Sequence, residues 1–169
     1  MSVRTREFSA LTWPEVAAAM ERDAGVLIPI GSTEQHGHHL SVATDALLAT
    51  DLAHAIAADE SQDLLVAPAV TYGYRSRPLS GGGPGFVGTT SASAATLIAL
   101  VQDVLESLLE QGFRRLALVN DVLPVPDAFV PKSGSLWKSR HGTRRAPEAD
   151  ALEAAGKDRH ARAVVRGSR

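Results

Sequence analysis

Residues 28–39 read Ile28-Pro29-Ile30-Gly31-Ser32-Thr33-Glu34-Gln35-His36-Gly37-His38-His39, and residues 44 and 45 read Thr44-Asp45. Three of the six histidines in the chain lie within this segment, with a carboxylate on either side of them. The apolar run at 26–30 precedes them and predicts a buried strand. Because open α/β sheets hold their ligands at the carboxyl ends of their strands, the histidine-rich segment is a candidate functional site.

The chain on both sides of this segment alternates between strand and helix signals. Thr12-Trp13-Pro14-Glu15 has the form of a capping box with a proline in the first turn, and it predicts a helix over about 14–22. Apolar residues at helical spacing predict helices over 46–59, with Leu47 and Leu48 among them, and over 92–111, before Gly112. Strands are expected at 26–31, 64–70 and 115–120. This order predicts an α/β fold in which a parallel sheet is flanked by helices.

The alternation ends after Asn120. Three prolines between 124 and 131, and a mostly polar stretch at 134–146, predict no further strand. We therefore expect the N-terminal part of a domain at 1–121 and an irregular tail at 122–169 that is disordered or out of frame. The tail is basic: residues 1–130 carry a net charge of −8 and residues 131–169 a net charge of +6.

Composition limits the class of protein. Hydrophobic residues make up 44% and charged residues 21%, as in soluble globular proteins, and the absence of cysteine excludes disulfides and thiolate zinc sites. No apolar segment follows the N-terminus and no apolar run is long enough to cross a bilayer, so a cytoplasmic protein without a membrane partner is expected. The arginines of the tail follow no helical or strand period, so we expect no nucleic-acid partner.

Glu34, His36 and Asp45 are the candidate metal ligands. Side chains two residues apart in an extended segment point the same way, so Glu34 and His36 can address one point in space. Asp45 lies at the start of a predicted helix, where its carboxylate can bridge two cations. The alternative is that Glu34 and His36 are exposed loop residues. His38 is a weaker candidate, which alternation turns inward to line the pocket or orient a ligand.

The segment from Gly31 to His39, followed by Asp45, resembles the signature of the creatininase (creatinine amidohydrolase) family. Three later segments resemble the second signature of that family, closest to its creatinine-hydrolysing members. They are Tyr72-Gly73-Tyr74-Arg75-Ser76, Ser80-Gly81-Gly82-Gly83 and Phe86-Val87-Gly88-Thr89-Thr90-Ser91. The similarity covers about residues 10–120.

The resemblance implies a three-layer α/β fold and a site for two divalent cations, Zn²⁺ or Mn²⁺. It implies a small-molecule substrate, hydrolysis of a cyclic amide (creatinine to creatine), and a homo-oligomer, which is a hexamer in the family. Glu34 matches a ligand of one metal, His36 a ligand of the other, and Asp45 the bridging carboxylate. The loop that lines the substrate pocket in the family corresponds to Ser80, Gly81 and Gly82 in this chain. The catalytic acid–base residue stays unidentified.

The chain departs from the family in two places. After the third strand the family continues Asn-Gly-His, and this His and a Glu complete the metal shells, whereas residues 120–124 read Asn120-Asp121-Val122-Leu123-Pro124. Asp121, at the strand end, is a weak candidate for replacing them. Pro84-Gly85 and Val87 stand where creatinine-hydrolysing members have Asn-His and Pro. We therefore expect impaired activity; the alternative is a non-catalytic remnant or binding domain without a complete metal site.

The abrupt change at 120–122, to a sequence rich in Arg, Ala and Pro, leads to the hypothesis of a frameshifted or truncated gene. We expect DNA sequencing across codons 118–124 and downstream to reveal a second reading frame that encodes the missing His and Glu. An uninterrupted frame that carries the same tail in relatives would contradict this hypothesis.

Overall fold

The computed structural model describes residues 5–59, 61–74 and 85–120, together with the backbone of three short strands beyond them. The elements alternate as predicted, which confirms the α/β fold. In chain order they are a 3-10 helix Phe8–Ala10, α1 Trp13–Glu21, β1 Gly25–Ile30, α2 Thr44–Ala57, β2 Leu64–Val66, α3 Ala94–Gln111, β3 Arg115–Asn120, β4 Trp137–Ser139, β5 Gly142–Arg144 and β6 Ala163–Arg166.

Strand β1 is the centre of a parallel three-strand sheet in the order β2-β1-β3. Ile30 pairs with Asn120, so β1 and β3 end at the same edge of the sheet. All six residues of β1 are buried, as expected for a parallel strand that is covered on both faces. The outer edge of β2 is covered by the N-terminal segment, where the Val66 N–H donates to the Arg6 carbonyl at 2.8 Å.

Alternate residues of β1 contact two different apolar clusters. Val26 and Ile28 pack in one cluster with residues of α3 such as Leu105, while Leu27 packs in the other with Ala53 of α2. Helices therefore cover both faces of the sheet, which gives the three layers that the family resemblance implies.

The ends of the helices follow the predicted capping signals. Glu15 accepts a hydrogen bond from the Thr12 N–H at 2.8 Å, which closes the capping box of α1. Helix α3 ends at Gly112, whose φ of 112° lies in the left-handed region that glycine adopts without strain. None of the helices within the described part of the chain is long and apolar enough to cross a membrane.

Helix α2 contacts the sheet through small residues. Leu47 and Leu48, which the sequence pattern counted among its apolar residues, expose 55% and 48% of their surface. Their side chains point outward because the face toward the sheet is occupied by alanines, which allow a close approach of the helix backbone. The buried residues of α2 are Asp45, Ala46, Ala49, Ala53 and Ala57.

Gly31 lies immediately after β1, where the first turn of α2 crosses it. A Cβ atom at Gly31 would be 2.4 Å from the Cα atom of Ala46 and 2.5 Å from its nitrogen. Such distances are far inside van der Waals contact, so the two backbones can approach this closely only with glycine at position 31. The close approach brings Asp45 to the carboxyl end of β1.

Three short strands extend the sheet beyond β3. Strand β6 pairs antiparallel with β3, and the complete order is β2-β1-β3-β6-β4-β5. The expectation that no strand follows Asn120 is wrong for these segments. They are only three or four residues long and give no periodic signal, and β6 pairs with an edge of β3 that would otherwise be open. The remaining residues of 121–169 lie outside the described part, so their predicted disorder stays a prediction.

Replacing Gly31 by alanine is expected to lower the free energy of unfolding by about 3 kcal/mol, because the new methyl group must push the backbones of β1 and α2 apart. Chemical denaturation of purified protein measures the loss. Gly85→Ala is the matched control, since a Cβ atom there meets nothing within 4 Å; its expected change is below about 0.5 kcal/mol. Equal stability of the two variants would contradict the prediction.

Candidate metal centre

Glu34, His36 and Asp45 converge at the carboxyl edge of β1. Each offers a ligand atom, and these atoms lie within 4.8 Å of one another. Glu34 and Asp45 expose only 5% and 2% of their surface, while His36 is half-buried. The three candidate ligands predicted from the sequence thus lie close together in the structure. Their burial argues against the alternative that Glu34 and His36 are exposed loop residues.

The hydrogen bonds of His36 determine how its ring can act. Its Nδ1 lies 3.1 Å from the Glu34 carbonyl oxygen, and since a carbonyl only accepts, Nδ1 must carry a proton. Its Nε2 lies 2.9 Å from Oδ1 of Asp45. Nε2 therefore either carries a second proton in an ion pair with Asp45 or directs its lone pair toward a cation shared with that carboxylate. A backbone carbonyl on one nitrogen and a metal on the other is a frequent arrangement of ligating histidines.

The backbone around Glu34 is hydrogen bonded at three successive residues. The Thr33 carbonyl accepts from the Thr90 N–H at 2.9 Å, and the Glu34 N–H donates to the Val42 carbonyl at 2.9 Å. The Gln35 N–H donates to the hydroxyl of Thr89 at 3.0 Å. The loop that carries Glu34 and His36 is therefore held from both sides.

The described residues of the second signature lie beside this loop. The Thr33 hydroxyl donates to the Thr71 carbonyl at 2.8 Å, and a Cβ atom at Gly73 would be 2.9 Å from the Gly31 carbonyl oxygen. Gly73 in turn accepts a hydrogen bond from the Ala92 N–H at 3.0 Å. The described parts of the two motifs, distant in the sequence, thus lie side by side at the carboxyl end of β1.

Asp45 reaches the cluster from the first turn of α2. The N-terminus of a helix carries partial positive charge, which favours a carboxylate there. The position of Asp45 is set by the contact of Gly31 with Ala46 and not by the loop that carries Glu34 and His36. Sequence spacing alone could indicate the start of the helix, but it gave no measure of its distance from β1.

The other predicted site residues are not part of this cluster. His38 is exposed and does not belong to the group of three. Four further candidates lie outside the described residues, so their roles stay predictions: Ser80, Gly81, Gly82 and Asp121. Within 5–59, 61–74 and 85–120, Glu34, His36 and Asp45 form the one group of this kind.

The donor set fits a divalent cation. Two carboxylates buried side by side repel each other, and a cation between them removes that repulsion. Carboxylate oxygen and imidazole nitrogen together suit Zn²⁺ and other first-row metals, and so small a set of protein ligands leaves coordination positions for water or substrate. The fold and the cluster therefore define an α/β protein with a candidate metal centre at the carboxyl edge of its sheet.

The family model for creatininase, described as creatinine amidohydrolase, matches residues 9–121. The chain belongs to the creatininase family. It is 44% identical over 111 residues to a creatinine amidohydrolase of Pseudomonas putida, an alignment that covers 65% of this chain and 42% of that protein. It is also 34% identical over 164 residues to a mycofactocin precursor peptide peptidase of Mycobacterium ulcerans, which covers 89% of this chain and 55% of that protein.

Solved creatininase structures share the fold. A crystal structure of creatinine amidohydrolase superposes with a TM-score of 0.64 at 41% identity, covering 69% of this chain and 45% of that one. Two further structures with the same coverage and TM-score are described as a Zn-Zn type of a creatininase variant and as creatininase Mn. The chain thus spans less than half the length of the creatininases that it matches.

Replacing Asp45 by asparagine keeps the shape of the side chain and removes its charge. We expect affinity for Mn²⁺ or Zn²⁺ to fall at least about 100-fold, since a buried anionic ligand becomes a neutral amide. Isothermal titration of metal-free protein measures this. Asp51→Asn, on an exposed position of the same helix, is the matched control and should bind like the unmodified chain. Equal affinity of the two variants would exclude Asp45 as a ligand.

Proposed function

We propose that the chain is a creatininase-type amidohydrolase that binds two divalent cations, Zn²⁺ or Mn²⁺, and hydrolyses a cyclic amide, creatinine to creatine, with impaired activity in this form. One observation carries the proposal. In a chain of the creatininase family, Glu34, His36 and Asp45 converge within 4.8 Å at the carboxyl edge of the central strand.

Each of the three side chains has its own proposed role in binding the cations. Glu34 is proposed to bind one metal and His36 the other, through Nε2. Asp45 would be the carboxylate shared by the two cations, and its Oδ1 lies 2.9 Å from Nε2 of His36.

The residues of the chain prepare this site for hydrolysis. When bound, the cations supply a water that loses its proton near neutral pH and polarise the amide carbonyl. Glu34 and Asp45 balance the added positive charge in a buried setting, where that balance matters most. The Glu34 carbonyl accepts from Nδ1 of His36 and so keeps the lone pair of Nε2 directed into the site. Proton transfer to the leaving nitrogen is not assigned to a residue.

The substrate has two candidates. A cyclic amide is supported by the 44% identity to the creatinine amidohydrolase of Pseudomonas putida and by the second signature. A peptide bond is supported by the relatives described as mycofactocin precursor peptide peptidases, one of which, from Mycolicibacterium smegmatis, is 42% identical over 80 residues. Either substrate presents an amide carbonyl to the same metal centre.

We also propose that the chain divides near residue 121 into the N-terminal part of a domain and a separate tail. It is supported by the family match, which ends at residue 121. The alignment to the Mycobacterium ulcerans protein covers 89% of the chain and so extends into the tail, a feature that an out-of-frame tail does not predict. Assembly into a homo-oligomer is proposed from the family resemblance alone, and a cytoplasmic location stays the proposal made from the sequence.

Metal stoichiometry separates the hydrolase from the alternative of a non-catalytic remnant. We expect purified chain, incubated with Mn²⁺ or Zn²⁺ and desalted, to retain metal and to hydrolyse creatinine at least about 100-fold more slowly than a full-length creatininase assayed beside it, because the His and Glu after β3 are missing. Elemental analysis and creatine production measure the two quantities, with dipeptides as competing substrates.

Each result decides between the alternatives. Two ions per chain support the hydrolase, and the absence of bound metal supports the remnant. Turnover equal to that of the full-length enzyme would show that the missing ligands are not required. Faster cleavage of a dipeptide than of creatinine would transfer the assignment to peptide bonds.

A further inference from the structure

The hydroxyl of Thr89 contacts the loop that carries the candidate ligands. Thr89 exposes only 8% of its surface, and its Oγ1 accepts a hydrogen bond from the Gln35 N–H at 3.0 Å. The two residues are 54 positions apart in the sequence. A buried hydroxyl thus connects the second signature directly to the first.

The position of this contact relates it to metal binding. Gln35 lies between Glu34 and His36, and a peptide unit that rotates there turns one of these side chains away from the other. The two neighbouring contacts of the loop are backbone hydrogen bonds, from the Thr90 N–H to the Thr33 carbonyl and from the Glu34 N–H to the Val42 carbonyl. The Thr33 carbonyl also accepts from the Thr90 hydroxyl, at a longer distance of 3.5 Å. Of the three shorter hydrogen bonds, the one from the Gln35 N–H to the Thr89 hydroxyl is therefore the one that a single side-chain substitution can remove.

We infer that Thr89 is a positioning residue for the metal centre: its hydroxyl fixes the Gln35 peptide so that Glu34 and His36 both face that centre. This inference rests on the proposed function, since it requires those side chains to bind metal. It assigns no contact with substrate or metal to Thr89. Thr89 would act through the segment that carries the ligands, and the loss of such a supporting hydrogen bond typically weakens metal binding about 10- to 100-fold.

A purely structural role for Thr89 makes a different prediction. If the side chain only filled space, a valine of the same shape would preserve metal affinity and a serine, which lacks the methyl group, would reduce it. If the hydroxyl positions the ligand loop, the order is reversed. The two substitutions therefore separate the hydrogen bond from the packing.

The experiment compares three variants of the full chain, Thr89→Val, Thr89→Ser and Thr90→Val, with the unmodified protein. The third is the matched control, because Thr90 is exposed and keeps its 2.9 Å backbone contact with Thr33, while the hydroxyl that it loses reaches the Thr33 carbonyl only at 3.5 Å. Amide hydrogen exchange of the metal-free protein reports on the Gln35 N–H, and titration with Mn²⁺ and Zn²⁺ reports on affinity. Thermal unfolding in the presence of a chelator reports on the fold.

In Thr89→Val we expect the Gln35 amide to exchange about tenfold faster and metal affinity to fall about 10- to 100-fold, while Thr89→Ser and Thr90→Val stay within about threefold of the unmodified chain. If Thr89→Val does not fold, Thr89→Ala removes the same hydroxyl from a smaller side chain, and the same loss of affinity is expected.

Unchanged Gln35 exchange in Thr89→Val would overturn the inference, and so would faster exchange with unchanged metal affinity. A loss of affinity in Thr89→Ser equal to that in Thr89→Val would assign the effect to packing. Failure of the unmodified chain to bind Mn²⁺ or Zn²⁺ would instead reject the proposed function, and with it the metal-positioning role. The two failures are thus distinguishable by which protein shows them.

Discussion

The contact between Gly31 and the first turn of α2 is the constraint on which the candidate site depends. A methyl group at this position would lie 2.4 Å from the Cα atom of Ala46. The backbone of the helix therefore rests on the end of the central strand, and Asp45 arrives beside Glu34 and His36. The alanine face of α2 serves the same geometry, because larger side chains would lift the helix from the sheet.

Much of the fold could be predicted from local sequence because its signals are local. Apolar runs predicted the three parallel strands, and β3 was found at the predicted residues, Arg115–Asn120. Strand β2 is shorter than predicted, yet Val70 still donates to the Pro29 carbonyl at 2.9 Å, so the chain continues beside β1. The convergence of Glu34 and His36 followed from their two-residue spacing.

Other features depend on contacts that leave no local signal. The hydrogen bond between Gln35 and Thr89 spans 54 residues, and no periodicity of either segment indicates it. The outward position of Leu47 and Leu48 depends on how closely α2 approaches the sheet, which a helical pattern does not specify. The strands after residue 121 are too short to produce an alternation, and β6 forms where β3 offers unpaired backbone groups.

The N-terminal segment beside β2 affects how the molecule behaves toward copies of itself. The Arg6 carbonyl accepts from the Val66 N–H, and Glu7 forms a parallel bridge with Val66. These few residues cover the outer edge of the sheet. Unpaired backbone groups there could pair with a strand of another molecule. A recombinant form that begins after Glu7 would therefore expose an unpaired strand edge and be prone to fibrous self-association, even though its candidate metal ligands are unchanged.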